Sequence, residues 1–344
     1  MKNFSNSPTP PTNVQWQPDL LGDDYEHLVF PLGPDPDGET DIYATLVRYV
    51  PSTRDASRPA IVFVHGMSDY FFHAHIAEYF ADHGYAFYGL DLRKCGRSYR
   101  LGQSWHYVRD LSEYFTDLTV TMEFLAKTHD EIIIMAHSTG GLTTSLWLDH
   151  VRRHQHDLHA HMKALVLNSP WLDLMVPKWL VMGLSPVVSL IGKVRPHTVI
   201  PGASLGTYGS TIHVSRHGEW DYDLTLKPVH GHTKYVGWLR AVKNGQKKVH
   251  AGKIDAGVPT LVLSSQRSVL GRPYSAESHH VDTLLDVEQI HQWAPYIAHD
   301  VTARRIPGAV HDVFLSEETV RNQALHTCEE WLDSVLHPDV SSDQ

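Results

Sequence analysis

Cys95 and Cys328 are the only thiols in this sequence. Two are too few for a disulfide framework and lack the clustered spacing of a zinc site, so a reducing compartment is expected. Positive charge is also scarce. The 29 Lys and Arg against 39 Asp and Glu leave a net charge of -10, which opposes the counterion-driven attraction to phosphate backbones and argues against nucleic acid as a partner. No long, clean apolar run is present. The greasiest stretch, Trp171 to Gly192, is broken by Asp173, Pro177, Lys178 and Pro186, which a membrane-spanning helix tolerates badly. The N-terminal MKNFSNSPTPPTNVQWQ lacks the apolar segment of a signal peptide, and the expected location is cytoplasmic.

What remains is a globular composition, 42% hydrophobic and 20% charged, with 23 Gly and 20 Pro to make turns. Residues 1–20 read as a flexible tail rich in Pro, Ser, Thr and Asn. Strand-like stretches at His27–Pro31 and Asp41–Val50 flank the turn-rich GPDPDGET and predict a hairpin. From Ala60 onward, short apolar runs alternate with helical stretches: AIVFVHG, a helix near His73–His83, then AFYGLDL. That rhythm belongs to a parallel sheet with crossover helices. Leu111, Phe115, Leu118, Met122 and Leu125 fall on one face of a helix. A strand at Glu131–Ala136 and a helix at Thr139–Val151 follow.

After the strand Ala164–Asn168 the rhythm lapses, and PTLVLSS at Pro259–Ser265 restores it. The reading is therefore a core over 21–170, a cap inserted at 171–255 after the sixth of eight strands, a second core segment over 256–337 and a tail at 338–344. The last elements are a helix near Val287–Trp293, a strand at Val301–Ile306 and a helix from about Ser316 to Leu336.

The chemistry centres on MAHSTGGL, Met135 to Leu142, which nearly spells the strand-to-helix turn G-x-S-x-G. A serine hydroxyl is a weak nucleophile unless a sharp turn exposes it beside a base and near donors for an oxyanion. EIIIMA before Ser138 is strand-like and GGLTTSLWLDHV after it is helical, so the context fits. Ala136 replaces the first glycine and adds only a methyl. Chain order then asks for an acid and a histidine, in that sequence. His311, in IPGAVHDVFLS after a strand, is the candidate base. No acid directly follows PTLVLSS. An insertion separates that strand from DTLLDVEQI, where Asp282 is the first choice, with Asp286 and Glu277 as alternatives. Backbone amides of Met67 and Thr139 are the expected oxyanion donors. His65, Gly66, His137, Trp171 and Trp179 are expected to face substrate.

The set VHGM, DLRKCGRS, AHSTGG, DTLLDVEQI and PGAVHD resembles the α/β-hydrolase superfamily, in the branch of monoacylglycerol lipases and lysophospholipases also grouped as serine aminopeptidase-like. The resemblance spans roughly residues 40–337 and is weakest in the cap. It implies an α/β fold with a mostly parallel eight-stranded sheet, a triad of Ser138, His311 and Asp282, and no cofactor. Expected substrates are small-molecule esters or lipids with an apolar acyl group, reached by transient membrane or micelle contact through the cap. A prolyl-type aminopeptidase shares the triad but needs cap carboxylates for a free amine, which Glu219, Asp221 and Asp223 offer. A non-catalytic binding protein is the third reading. The histidine clusters, among them His73 with His75 and His150 with His154, complete no metal motif and read as solvated surface.

Overall fold

The run AIVFV at Ala60–Val64 is buried along its whole length, as a strand covered on both faces must be. In the computed structural model, which describes residues 15–50, 59–174, 190–202 and 204–337, this run is β4 of a nine-stranded sheet. In chain order the strands are β1 (Gln17–Asp19), β2 (Gly22–Gly33), β3 (Ile42–Tyr49), β4, β5 (Ala86–Asp91), β6 (Ile132–His137), β7 (Met162–Asn168), β8 (Thr260–Ser265) and β9 (Val301–Ile306). They lie side by side as β1-β2-β3-β5-β4-β6-β7-β8-β9. β1, β2 and β3 join by antiparallel pairing and the rest are parallel. The ninth strand is the short β1, inside the stretch read as a tail. Its QPD carries no β pattern and is recruited only by pairing with β2; with β1 counted, the strand expected as the sixth, at Ala164–Asn168, is numbered β7.

Alternation along the central strands divides the core into two layers. Val62, Val64, Ile132 and Ile134 face one side with Leu118 and Met122 of α2 (Phe115–Leu125) and Leu142 and Leu146 of α3 (Thr139–His154). Ile61, Phe63, Ile133 and Met135 face the other, with Ile76 and Phe80 of α1 (Ala74–Asp82) and, near the C-terminus, Leu325 and Leu332 of the helix Glu318–Leu336. Leu111 belongs to a separate 3-10 turn, Leu111–Tyr114, because Asp110 and Glu113 form a capping box ahead of α2.

Strand order doubles back at β4, between β5 and β6, so the loops after these strands open a crevice at their C-terminal ends. Between β7 and β8 the chain adds α4 (Gly206–Ile212) and α5 (Val236–His250), and residues of this segment line the cavity that Ser138 borders. Trp238 and Val242 of α5 join the same hydrophobic layer as α3. Beside the crevice, Arg93 locks the loop after β5 by donating to Asp117 from Nε at 2.8 Å while its backbone amide donates at 2.7 Å. Cys95 and Cys328 are buried free thiols, and burial pushes both well up. Among the described residues no helix is long and apolar enough to cross a membrane, and no cluster of His, Cys, Asp and Glu could hold a metal ion.

Candidate active site

Ser138 occupies the turn between β6 and α3 with φ 51° and ψ -115°, a conformation that costs a non-glycine residue about 1–3 kcal/mol and persists only when its surroundings impose it. Those surroundings are hydrogen bonds. The Ser138 amide donates to Asn168 O at 2.9 Å, and its carbonyl accepts from Gly141 N at 3.1 Å and Trp171 N at 3.0 Å. α3 begins so close to β4 that a Cβ at Gly140 would stand 2.4 Å from the His65 carbonyl oxygen. Glycine is therefore required at 140, whereas Ala136 packs without exposure in the core.

The structure brings Ser138, His311 and Asp282 together. His311 Nε2 lies 3.1 Å from Ser138 Oγ, and His311 Nδ1 lies 2.8 Å from Asp282 Oδ2. Both His311 and Asp282 are buried. The other oxygen of Asp282 accepts from Leu284 N at 2.7 Å and Leu285 N at 2.8 Å, which fixes the carboxylate's rotation. The insertion before Asp282 leaves this geometry intact. Asp282 is tied back to the end of β8 by its amide to Arg267 O at 3.0 Å and its carbonyl to Val269 N at 2.9 Å, so the extra residues loop outward. Asp286 instead caps the helix Val287–Trp293 through Glu288 N at 3.0 Å, and Glu277 pairs with Arg267 at the surface.

The serine opens into a cavity of about 400 Å³, within the usual size for a small-molecule site. Trp171, Leu174, Leu205, Trp238, Leu239 and Leu285 make most of its wall apolar, and Met67 and Thr139 border it beside Ser138. Thr139 opens α3, so its amide has no intrahelical acceptor. His65 and Gly66 do not line this cavity. His65 is buried beneath the turn with Nδ1 2.7 Å from Gly66 O and Nε2 accepting from Leu92 N at 3.0 Å, which braces the loop carrying Met67. His137 and Trp171 line the cavity, and Trp179 lies outside the described residues.

Polar side chains also enter the wall. Cap residue Lys227 donates to Asp69 Oδ1 at 2.6 Å, with both side chains almost wholly buried, and its ammonium faces the rings of Phe72 and Tyr222. Burial favours the neutral acid, but Lys227 and His137 outweigh it and hold Asp69 well below the usual carboxylate range. Next to His311, Asp312 accepts from Asn168 Nδ2 at 2.6 Å and meets His73 Nε2 at 3.0 Å. It too is held low despite burial, by His137 and His73. His137, between these carboxylates, has its own pKa lowered by burial. His73 is thus fully buried, a correction to its reading as solvated surface. No local pattern announces it, because its partner is 239 residues away.

Removing one member of a buried ion pair strands the other. Asp69→Ala is expected to lower stability by about 3–5 kcal/mol, with much of the loss recovered when Lys227→Met is added; urea unfolding of the two variants checks this.

The profile of the family described as serine aminopeptidase, S33, matches residues 55–318. The chain belongs to that family. The match covers the serine turn, Asp282 and His311, and the fold is that of an α/β hydrolase. No curated protein matches this S33 chain in sequence. Among solved structures, the monoacylglycerol lipase of Paleococcus ferrophilus is 18% identical with a TM-score of 0.60, over 85% of this chain and 98% of that one. A soluble variant of the Saccharomyces cerevisiae monoglyceride lipase, in complex with a substrate analog, is 14% identical with a TM-score of 0.58, over 96% of each chain. Est1E of Butyrivibrio proteoclasticus, with ferulic acid bound, is 16% identical with a TM-score of 0.52, over 88% of this chain and 98% of that one. At these identities the likeness establishes the shared fold.

Proposed function

We propose that this S33 family member is a serine hydrolase of carboxylic esters with an apolar acyl group. The observation that carries the reading is the continuous relay from Asp282 through His311 to Ser138 at the edge of an apolar cavity. In it, Asp282 holds the Nδ1 proton of His311 and leaves Nε2 free to accept the Ser138 proton as Oγ attacks the ester carbonyl. The tetrahedral oxyanion is held by the amides of Met67 and Thr139. The imidazolium then returns its proton to the departing alcohol. A water molecule, deprotonated by His311, attacks the acyl-enzyme and releases the acid. The steps call for no cofactor.

The aminopeptidase alternative needs a carboxylate free to hold a substrate ammonium. Asp221 and Asp223 are exposed, Glu219 pairs with Arg321, and none of the three lines the cavity. Asp69 does line it but is already paired with Lys227. The reading is tested by exposing the protein to a fluorophosphonate, weighing it intact, and comparing turnover of 4-nitrophenyl alkanoates with aminoacyl arylamides. One phosphonyl adduct and preference for the esters are expected. No adduct, or faster arylamide cleavage, overturns it.

A further inference from the structure

Two lysines stand in the cavity wall, and among the described residues only one has a counter-charge. Lys227 is satisfied by Asp69. Lys234 also lines the cavity and is 4% exposed, yet among the described residues its ammonium is within ion-pairing distance of no carboxylate. It donates a long hydrogen bond, 3.3 Å, to the backbone oxygen of His230. An ammonium carries three donors and tolerates burial poorly without a partner. The sequence of residues 175–189, MVPKWLVMGLSPVVS, contains no acid.

Room is kept for this group. Gly231 has φ 70°, and a Cβ there would come within 2.7 Å of Lys234 Nζ and 2.9 Å of Leu205, itself a wall residue. The site also lies toward solvent, since His230 and the wall residue Ser204 are exposed and Ser204 Oγ is 3.3 Å from His230 Nδ1. Burial pushes the Lys234 ammonium down to about 8, the response of a cation short of negative charge. Among the lining side chains, Lys227, Lys234 and Asp69 sum to +1 (two lysines less one aspartate), in a protein whose net charge is -10.

We infer that Lys234 is a specificity residue which pairs with an anionic group, a carboxylate or phosphate, carried by the substrate away from the ester that Ser138 attacks. The inference rests on the ester-hydrolase reading and narrows it to negatively charged esters. An apolar chain between the two groups would lie along the tryptophan and leucine wall, with the anion meeting Lys234 as a charge-assisted hydrogen bond.

The test compares 4-nitrophenyl hemiesters of glutaric, adipic and suberic acid with neutral 4-nitrophenyl alkanoates of equal length at pH 7. A second arm sets an acylglycerol phosphate against the uncharged monoacylglycerol and separates phosphate from carboxylate as the anion. In at least one pair the parent is expected to favour the anion by roughly ten-fold or more in kcat/KM. That ratio should collapse in Lys234→Met and persist in Lys234→Arg. Calorimetric binding of the same pairs to Ser138→Ala protein reads the preference without turnover. An inert parent that takes no fluorophosphonate would end the hydrolase reading, while the Ser138→Ala affinities would still decide the lysine's role. Equal affinity for charged and neutral partners in every pair overturns the inference, as does a preference that survives Lys234→Met.

Discussion

Ser138→Ala is expected to lower kcat for a preferred 4-nitrophenyl ester by about 10⁶-fold and to eliminate the fluorophosphonate adduct, with KM nearly unchanged. Alanine removes only Oγ. The Ser138 amide and carbonyl, which hold the turn to Asn168, Gly141 and Trp171, are untouched. The turn's φ of 51° suits alanine no better than serine, so both forms carry the same strain and comparable stability is expected. Loss of rate with an unchanged unfolding curve would isolate the hydroxyl. A variant that keeps more than a few per cent of parent activity would require a different nucleophile. The buried thiols Cys95 and Cys328, whose pKa values burial raises, are poor substitutes.

The second large effect concerns the acid. Asp282→Asn is expected to lower kcat by about 10⁴-fold, and the direction follows from the two backbone amides. Because Leu284 N and Leu285 N both donate to Oδ1, the asparagine oxygen stays on their side and its NH₂ faces His311 Nδ1. That nitrogen must then accept, which drives the ring proton to Nε2 and removes the acceptor for the Ser138 hydroxyl. Asp286→Asn should change kcat less than about two-fold, since asparagine serves as well as aspartate at a helix N-cap. Steady-state kinetics of the two variants decides between them; a large loss in Asp286→Asn with little in Asp282→Asn would reverse the roles.

The serine turn was legible because a strand, a tight turn and a helix are local events that leave local marks. His311 was legible through chain order alone, since the fold delivers the loop after β9 to the same crevice. Asp282 was harder: the insertion hides its distance from β8, and only the pairing of Asp282 with Arg267 and Val269 restores it. Chain order and motif assigned no role to Asp69, Lys227, Lys234 or Asp312. Each gains its meaning from a partner, or the lack of one, across a large gap in the chain, 158 residues for Asp69 and Lys227. In the same way β1 depends on its neighbour's edge rather than on its own QPD.

Lys227 and Asp69 fasten the inserted region to the loop beside Ser138 where water hardly reaches. Mobile ions weaken charge pairs only where they can approach them, over a Debye length of about 8 Å at physiological ionic strength. Concentrated brine is therefore expected to loosen outer pairs such as Arg267 with Glu277 and to leave the buried Lys227–Asp69 pair fastened.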